Sequence, residues 1–252
     1  MAGDEAIIKK LRYQYDLIND LGDGSFSEHK DYEEYEDDGD WYGYDVPFRV
    51  VFDQDKNALE LWLHHPFETF PELITQLGSL QTLSLEGSEV KTLPESFGQL
   101  RGLQLLYLKY NHSLTRLPDS FGQLHALYFL SLSSNNLGSL PESFGQLRAL
   151  QNLDLDHNPL TVLPESFGQL VSLKKLSIYE NQLISLPASF GQLQSLQTLN
   201  LSDNRLSALP ASFQQLSNLR ELRVLNIQFD ANSKKILDQL KKNAKGLKIK
   251  NK

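Results

Sequence analysis

Two carboxylates and a histidine in the middle of the chain are the residues best suited to chemistry. Asp154 and Asp156 are two positions apart on a predicted strand, and His157 follows them. Because side chains alternate across a strand, both carboxylates point to one face. Such a pair could act as a general acid and base, or could bind a cation together with the histidine. An open sheet gives little desolvation to shift their pKa values, so we expect an acidic patch that is solvated or faces a partner.

Large apolar side chains at outward positions of neighbouring predicted strands form a second candidate site. They are Leu105, Tyr107, Tyr110, Phe129 and Tyr179. Scattered exposed aromatic residues need no partner, whereas a cluster of them is typical of an interaction hot spot. Because these five residues fall on neighbouring units of a repeat, we interpret them, with the acidic residues and histidine beside them, as the partner-binding surface.

The composition excludes several classes of function. The 252 residues include no cysteine, which removes disulfides, thiolate metal sites and cysteine nucleophiles. The net charge of -8 divides into -10 over residues 1–57, -5 over 58–219 and +7 over 220–252. Binding of nucleic acid by the main body is not expected, because phosphates require lysine and arginine over the binding face. The oppositely charged ends suggest weak head-to-tail self-association.

Hydropathy indicates where the protein works. No apolar run is long enough to span a membrane, and the first residues, MAGDEAIIKKLR, lack the apolar stretch of a secretory signal. We therefore expect a cytoplasmic protein, and export by a route without a cleavable signal stays open.

A short repeat positions the candidate residues. The motif LPESFGQL, or a close variant, begins at Leu93, Leu117, Leu140, Leu163, Leu186 and Leu209, with spacings of 24, 23, 23, 23 and 23 residues. Each repeat carries the pattern LxxLxLxxN, in which alternation predicts a short strand with inward leucines. The asparagines of this pattern are Asn111, Asn135, Asn158, Asn181 and Asn204. We predict that they form a buried ladder between repeats, because an unpaired buried amide costs about 1–3 kcal/mol.

With these motifs, the sequence resembles leucine-rich repeat proteins of the short LP-containing type, found in bacteria and in the eukaryotic Ras-scaffold and plant intracellular groups. The resemblance covers residues 58–226. It implies an α/β fold, a right-handed solenoid of about seven or eight rungs with a parallel sheet on the concave side. It also implies a binding role, so we expect a protein partner on that side. Because an open sheet offers no enclosed pocket, we expect no catalysis and no cofactor or metal. The alternative that the family implies is a secreted or surface-exposed bacterial effector or adhesin.

The repeat contains three local departures from its own pattern. Pro66 and Ser88 stand where the first and second rungs would carry a ladder asparagine, and His112 is an extra residue that lengthens one repeat to 24 residues. We expect all three to disturb the adjoining loops without breaking the stack.

Capping elements are predicted at both ends, because a stack of repeats would otherwise expose its core. Residues 1–57 form an acidic cap: a helix from Asp4 to Leu21 with Asp4 as N-cap, an acidic aromatic loop over 22–44, and the first arm of a hairpin, Phe48 to Phe52. The second arm of the hairpin, Ala58 to Leu63, is the first rung of the solenoid. Residues 227–252 form a basic cap, with a helix begun by Ser233 and a strand from Leu247 to Lys250.

Overall fold

The computed structural model describes residues 3–15 and 48–251. Its strands are β1 (Phe48–Phe52), β2 (Ala58–Leu63), β3 (Thr82–Leu85), β4 (Leu105–Tyr107), β5 (Phe129–Ser131), β6 (Asn152–Asp154), β7 (Lys175–Ser177), β8 (Thr198–Asn200), β9 (Glu221–Arg223) and β10 (Lys248–Lys250). They form one sheet in chain order, in which β1 is antiparallel to β2 and every later pair is parallel. The predicted solenoid with a parallel sheet and a hairpin at its start is confirmed.

Short 3₁₀ helices return the chain behind the sheet. They span Glu72–Gln76, Glu95–Gln99, Asp119–Gln123, Glu142–Gln146, Glu165–Gln169, Ala188–Gln192 and Ala211–Gln215, and each follows a proline. Proline suits this position because its fixed φ favours a helical turn and its missing N–H cannot continue a strand. None of the helices in the described ranges has both the length and the apolar character needed to cross a membrane.

A column of phenylalanines gives the stack its curvature. Phe97, Phe121, Phe144, Phe167, Phe190 and Phe213 are fully buried, and neighbouring rings are nearly parallel with centroids 5.8–6.2 Å apart. Strands in a sheet are only about 4.8 Å apart. Successive rungs are therefore farther apart on the helical side than on the sheet side, so the sheet lies on the concave face.

The predicted ladder asparagines are buried and bond to the backbone of adjacent rungs. Asn158 Nδ2 donates to the carbonyl of Leu132 in the preceding rung at 2.9 Å, and its Oδ1 accepts from the N–H of Leu137 at 3.1 Å. The rung with the extra residue uses a different donor, because there the N–H of Asn111 itself bonds to Asn135 Oδ1 at 2.9 Å. Ser88 continues the column through its backbone N–H, 2.8 Å from Asn111 Oδ1. The serine at position 88 and the extra residue His112 are thus accommodated, because different backbone N–H groups bond to the ladder asparagines.

The N-terminal helix covers the first rung, although Asp4 does not cap it. Helix α1 (Asp4–Gln14) follows Gly3, and Asp4 Oδ2 instead accepts the backbone N–H of Ala58 at 2.9 Å. Ile7, Ile8 and Leu11 are buried against the core. The predicted extension of this helix to Leu21 and the acidic aromatic loop lie outside the described residues.

The C-terminal cap has the predicted order of helix and strand, but its helix begins earlier. Helix α2 (Ala231–Asn243) is capped by Asp230, whose side chain accepts the N–H of Ser233 at 2.7 Å, so the prediction of Ser233 as the cap is wrong. Ser233 is fully buried, and its Oγ accepts the N–H of Leu209 at 2.9 Å. A serine three residues beyond an aspartate fits both arrangements in sequence, and the contact with Leu209 decides between them.

Glycine in the SFGQ motif is required by the contact between rungs, which gives a test of the stacking. A Cβ atom at Gly145 would collide with the backbone carbonyl of Ser166, while one at Gly138 would meet no atom within 4 Å. Gly145→Ala should lower the free energy of unfolding by at least about 2 kcal/mol, because the backbone of Ser166 cannot move aside as a flexible side chain could. Gly138→Ala should change stability by less than about 0.5 kcal/mol. Equal unfolding midpoints in denaturant for the two variants would contradict this account of the rung contact.

Candidate functional site

Three short columns of side chains run across the concave face, because successive parallel strands are in register. One column contains Trp62, Ser84, Tyr107, Ser131 and Asp154 on β2 to β6. A second contains Glu60, Thr82, Leu105, Phe129 and Asn152 on the same strands. A third follows the strand ends and includes Asp156 and Tyr179. All eight predicted site residues lie in these columns or directly beside them.

Aromatic rings join across the first strands of the sheet. Trp62 stacks on Tyr107 with centroids 5.5 Å apart, and Tyr107 contacts Phe129 at 5.0 Å. Leu105 lies beside Phe129 on the adjacent strand. These half-buried side chains cover Ser84, which is fully buried. We call Trp62, Leu105, Tyr107 and Phe129 the aromatic ridge.

Trp62 was absent from the predicted surface. Its signal was in the sequence, because Leu61-Trp62-Leu63 has the same LxL spacing that places Tyr107 between Leu106 and Leu108. The stacking partner was harder to foresee, since Trp62 and Tyr107 are on strands separated by β3. Only a small residue at Ser84 lets the two rings meet above it.

The predicted acidic residues line an open hollow next to the ridge. The hollow has a volume of about 550 Å³ and is bounded by Tyr110, His112, Ser133, Ser134, Asp154, Asp156 and His157. We call this depression the acidic hollow. Tyr179 lies on the far side of it, where its ring meets the edge of His157 at 5.2 Å. The structure therefore brings Tyr107 and Phe129 together but places Tyr179 with the histidine.

Hydrogen bonds fix the orientation of both carboxylates. Asp154 Oδ2 accepts the hydroxyl of Ser131 at 2.9 Å, and its Oδ1 accepts the N–H of Asp156 at 3.0 Å. Asp156 Oδ1 accepts the N–H of Tyr179 at 2.6 Å. The donors come from three adjacent strands or their ends, so the stacking of rungs determines where the two carboxylates lie.

The environment of Asp156 contradicts the expectation that this face leaves carboxyl pKa values unchanged. Desolvation first, and then repulsion by Asp154, raise the pKa of Asp156 from 3.8 to about 6. Hydrogen bonds from Ser177 and Tyr179 and the nearby His157 oppose this rise. The carboxyl is still mainly ionised at neutral pH, but desolvation and repulsion make its charged form less stable than that of an exposed aspartate.

His157 pairs with a carboxylate on the neighbouring rung. Its Nδ1 lies 3.1 Å from Glu180 Oε2. In the described residues, no group of three or more histidine, aspartate and glutamate side chains is arranged to hold a metal ion. Asp154, Asp156 and His157 thus line one surface, but they are not arranged around a common metal-binding point.

Tyr110 and His157 share an unusual backbone conformation. The residue before each ladder position has positive φ, and these residues are Gly87, Tyr110, Ser134, His157, Glu180, Asp203 and, after the last regular rung, Asn226. The bend lets the N–H at this position reach the next rung, as from His157 to the carbonyl of Tyr179 at 2.9 Å. Left-handed backbone costs a non-glycine residue about 1–2 kcal/mol. A glycine would avoid this cost, and among these seven positions the glycine is Gly87.

Comparisons with known proteins agree with this architecture. The leucine-rich repeat region model matches residues 119–249, and the leucine rich repeat model matches residues 78–137. No curated protein matches the chain. Among solved structures, the Leptospira interrogans leucine-rich repeat protein LIC12759 is 39% identical, with a TM-score of 0.55, over 73% of this chain and 52% of that protein.

Two further solved structures are similar to this chain. The ectodomain of the Arabidopsis thaliana receptor kinase GASSHO1/SCHENGEN3, in complex with CASPARIAN STRIP INTEGRITY FACTOR 2, is 32% identical with a TM-score of 0.58, over 64% of this chain and 20% of that one. The PEPR1–AtPEP1 structure is 30% identical with a TM-score of 0.67, over 82% of this chain and 32% of that one. This chain therefore spans about half or less of each of these relatives.

The fold and the matches together define a leucine-rich repeat solenoid. This chain belongs to the leucine-rich repeat family, whose members typically serve as interaction scaffolds.

The raised pKa of Asp156 predicts how stability changes with pH. Because the folded protein binds this proton more tightly than the unfolded chain, the group contributes most below about pH 4, and its contribution is lost as pH rises through about 6. Asp156→Asn keeps an acceptor oxygen but removes the charge. It should therefore unfold at higher denaturant concentration than the wild type at pH 7, by about 1 kcal/mol after allowance for solvent screening, and the difference should close near pH 4.

Asp154→Asn provides the matched control for this prediction. Removing its charge should lower the pKa of Asp156, as read from the carboxyl carbon shift by NMR. A pKa of Asp156 that stays unchanged in this variant would contradict the assigned repulsion.

Proposed function

We propose that this chain is a non-catalytic binding module that holds a protein partner on its concave face. The observation that carries the proposal is the aromatic ridge, where Trp62, Tyr107 and Phe129 form a continuous contact on a face that is otherwise lined mainly by small and polar residues. Tyrosine and tryptophan are the residues most often found at the energetic centre of interfaces.

The acidic hollow favours binding over catalysis. Its two carboxylates lie on an open surface, and the histidine beside them is engaged by Glu180. A general base needs a substrate atom held within hydrogen-bond reach and kept from water, which an open sheet does not provide. The negative charge of this face also disfavours nucleic acid as the partner.

A second candidate is a secreted or surface-exposed bacterial effector or adhesin. The 39% identity with the Leptospira interrogans protein favours it. The first candidate is proposed to act in the cytoplasm, so fractionation of the native host separates the two. Recovery of the protein only in the cytosolic fraction would contradict the second candidate.

The oppositely charged ends favour an additional weak interaction between copies. Lys241, Lys242, Lys245, Lys248 and Lys250 are exposed on the C-terminal cap, while residues 1–57 carry a charge of -10. Head-to-tail contacts of this kind would weaken with salt. Sedimentation as a monomer at low salt and high protein concentration would contradict them.

Removing the centre of the ridge tests the proposed function. Tyr107→Ala with Phe129→Ala should abolish capture of the partner from host lysate, because the two rings supply the apolar contact. Both side chains are only half-buried, so thermal unfolding should change little. The matched control is Val171→Ala with Ile184→Ala, which removes apolar side chains that are 52% and 58% exposed outside the strands. Capture that survives the ridge variant, or that is lost equally in the control, would contradict the proposal.

A further inference from the structure

We infer that the concave site selects an extended peptide segment that carries two features in a fixed spacing. A lysine or arginine of the segment binds between Asp154 and Asp156, and an aromatic or aliphatic side chain about two or four residues away packs on the aromatic ridge. This inference rests on the proposed function, because it specifies the chemistry of the partner held on the same face.

The first argument is the state of the carboxylates on this face. Glu60 lies 3.9 Å from Arg49, Glu180 lies 3.1 Å from His157, and Glu221 lies 2.8 Å from Arg223. In contrast, Asp154 and Asp156 have no lysine or arginine within ion-pair distance in the described part of the chain. Glu86 also lacks an ion pair there, and desolvation raises its pKa, but the charge of Lys109 opposes that rise. Two adjacent acidic groups without a cation repel each other, and a cation from outside the chain would relieve that repulsion.

The second argument is that these carboxylates are already held in place. Ser131 and the N–H of Asp156 fix both oxygens of Asp154, and the N–H of Tyr179 fixes one oxygen of Asp156. A guanidinium or ammonium group would therefore meet oriented acceptors, and little side-chain entropy would be lost on binding. The partial desolvation of Asp156 strengthens its attraction for a cation, since screening by water is weaker there.

The third argument is that an apolar surface lies at a fixed distance from the acidic pair. Tyr107, Ser131 and Asp154 are in register on three successive strands. Strands are about 4.8 Å apart, so Asp154 lies about 10 Å from Tyr107 across the sheet. An extended peptide advances about 3.3 Å per residue, and its side chains alternate between two faces. The cationic and apolar side chains therefore reach the same surface when they are about two or about four residues apart.

Peptide length follows from the full extent of the ridge. Trp62 lies two strands beyond Tyr107 in the same register column. A segment that runs from Trp62 to Asp154 crosses four strand intervals, about 19 Å, which corresponds to about six extended residues. A short linear segment is sufficient to contact the ridge and the acidic pair together.

The test uses synthetic peptides of about ten residues in a glycine–serine background, each with one phenylalanine and one arginine at separations from one to about six positions. Each peptide has a matched partner in which citrulline replaces arginine, which keeps the shape and removes the charge. Binding is measured to the wild type, to Asp154→Asn with Asp156→Asn, to the ridge variant and to the Val171→Ala, Ile184→Ala control.

The expected result has three parts. Affinity should be greatest at separations of about two or about four residues and weaker at about three, where the two side chains of an extended peptide face opposite sides. Citrulline should weaken binding to the wild type by about tenfold or more. The arginine and citrulline peptides should bind equally to the doubly amidated variant, while the control should behave as the wild type.

Other outcomes separate this inference from the proposed function. Preference for acidic or uncharged peptides, a citrulline effect that persists in the amidated variant, or absence of binding by every peptide would overturn the inference. The proposed function would still stand if capture of the host partner depends on the ridge. Because citrulline changes only the peptide, the loss of affinity in the wild type does not depend on how the protein variants fold.

Discussion

Every rung of this solenoid is completed by the next rung, and the rest of the structure depends on that one contact. No rung encloses its own core, because its leucines and phenylalanine are covered by the equivalent residues of its neighbours or, at the two ends, by the caps. The contact is also polar, since Asn158 bonds to the preceding rung and accepts from it. Glycine is required where the turns approach most closely, as at Gly145. These demands explain why the motif letters repeat while the outward residues vary.

The same contact determines the chemistry of the concave face. Successive phenylalanines are farther apart than successive strands, so the rungs come closer together on the side where the candidate site lies. Side chains from neighbouring rungs then exclude water from one another, so a carboxyl such as Asp156 is desolvated on a surface without a closed cavity. The ridge has the same origin, since Trp62 and Tyr107 meet across an intervening strand.

Much of the fold could be predicted from the sequence, because every copy of the repeat makes the same contact with its neighbour and therefore keeps the same residues. The hairpin, the strand positions and the cap order followed from spacing alone. The errors lie where an outcome depends on one particular contact. Asp4 bonds Ala58 instead of capping its helix, and Ser233 is buried against Leu209. The residues of the candidate surface were predictable as outward positions, but the pKa of Asp156 was not, because desolvation depends on how closely neighbouring rungs approach.

The uniformity of the contact between rungs has a consequence for how such a chain can change over generations. Starting at Leu140 or at Leu163, the chain presents the same SFGQ turn and the same asparagine to whatever copy precedes it. Duplication or deletion of one 23-residue unit would therefore rejoin compatible surfaces. It would also slide the aromatic ridge and the acidic pair apart or together by one strand spacing, so the distance between two binding features can be altered in discrete steps without a new fold.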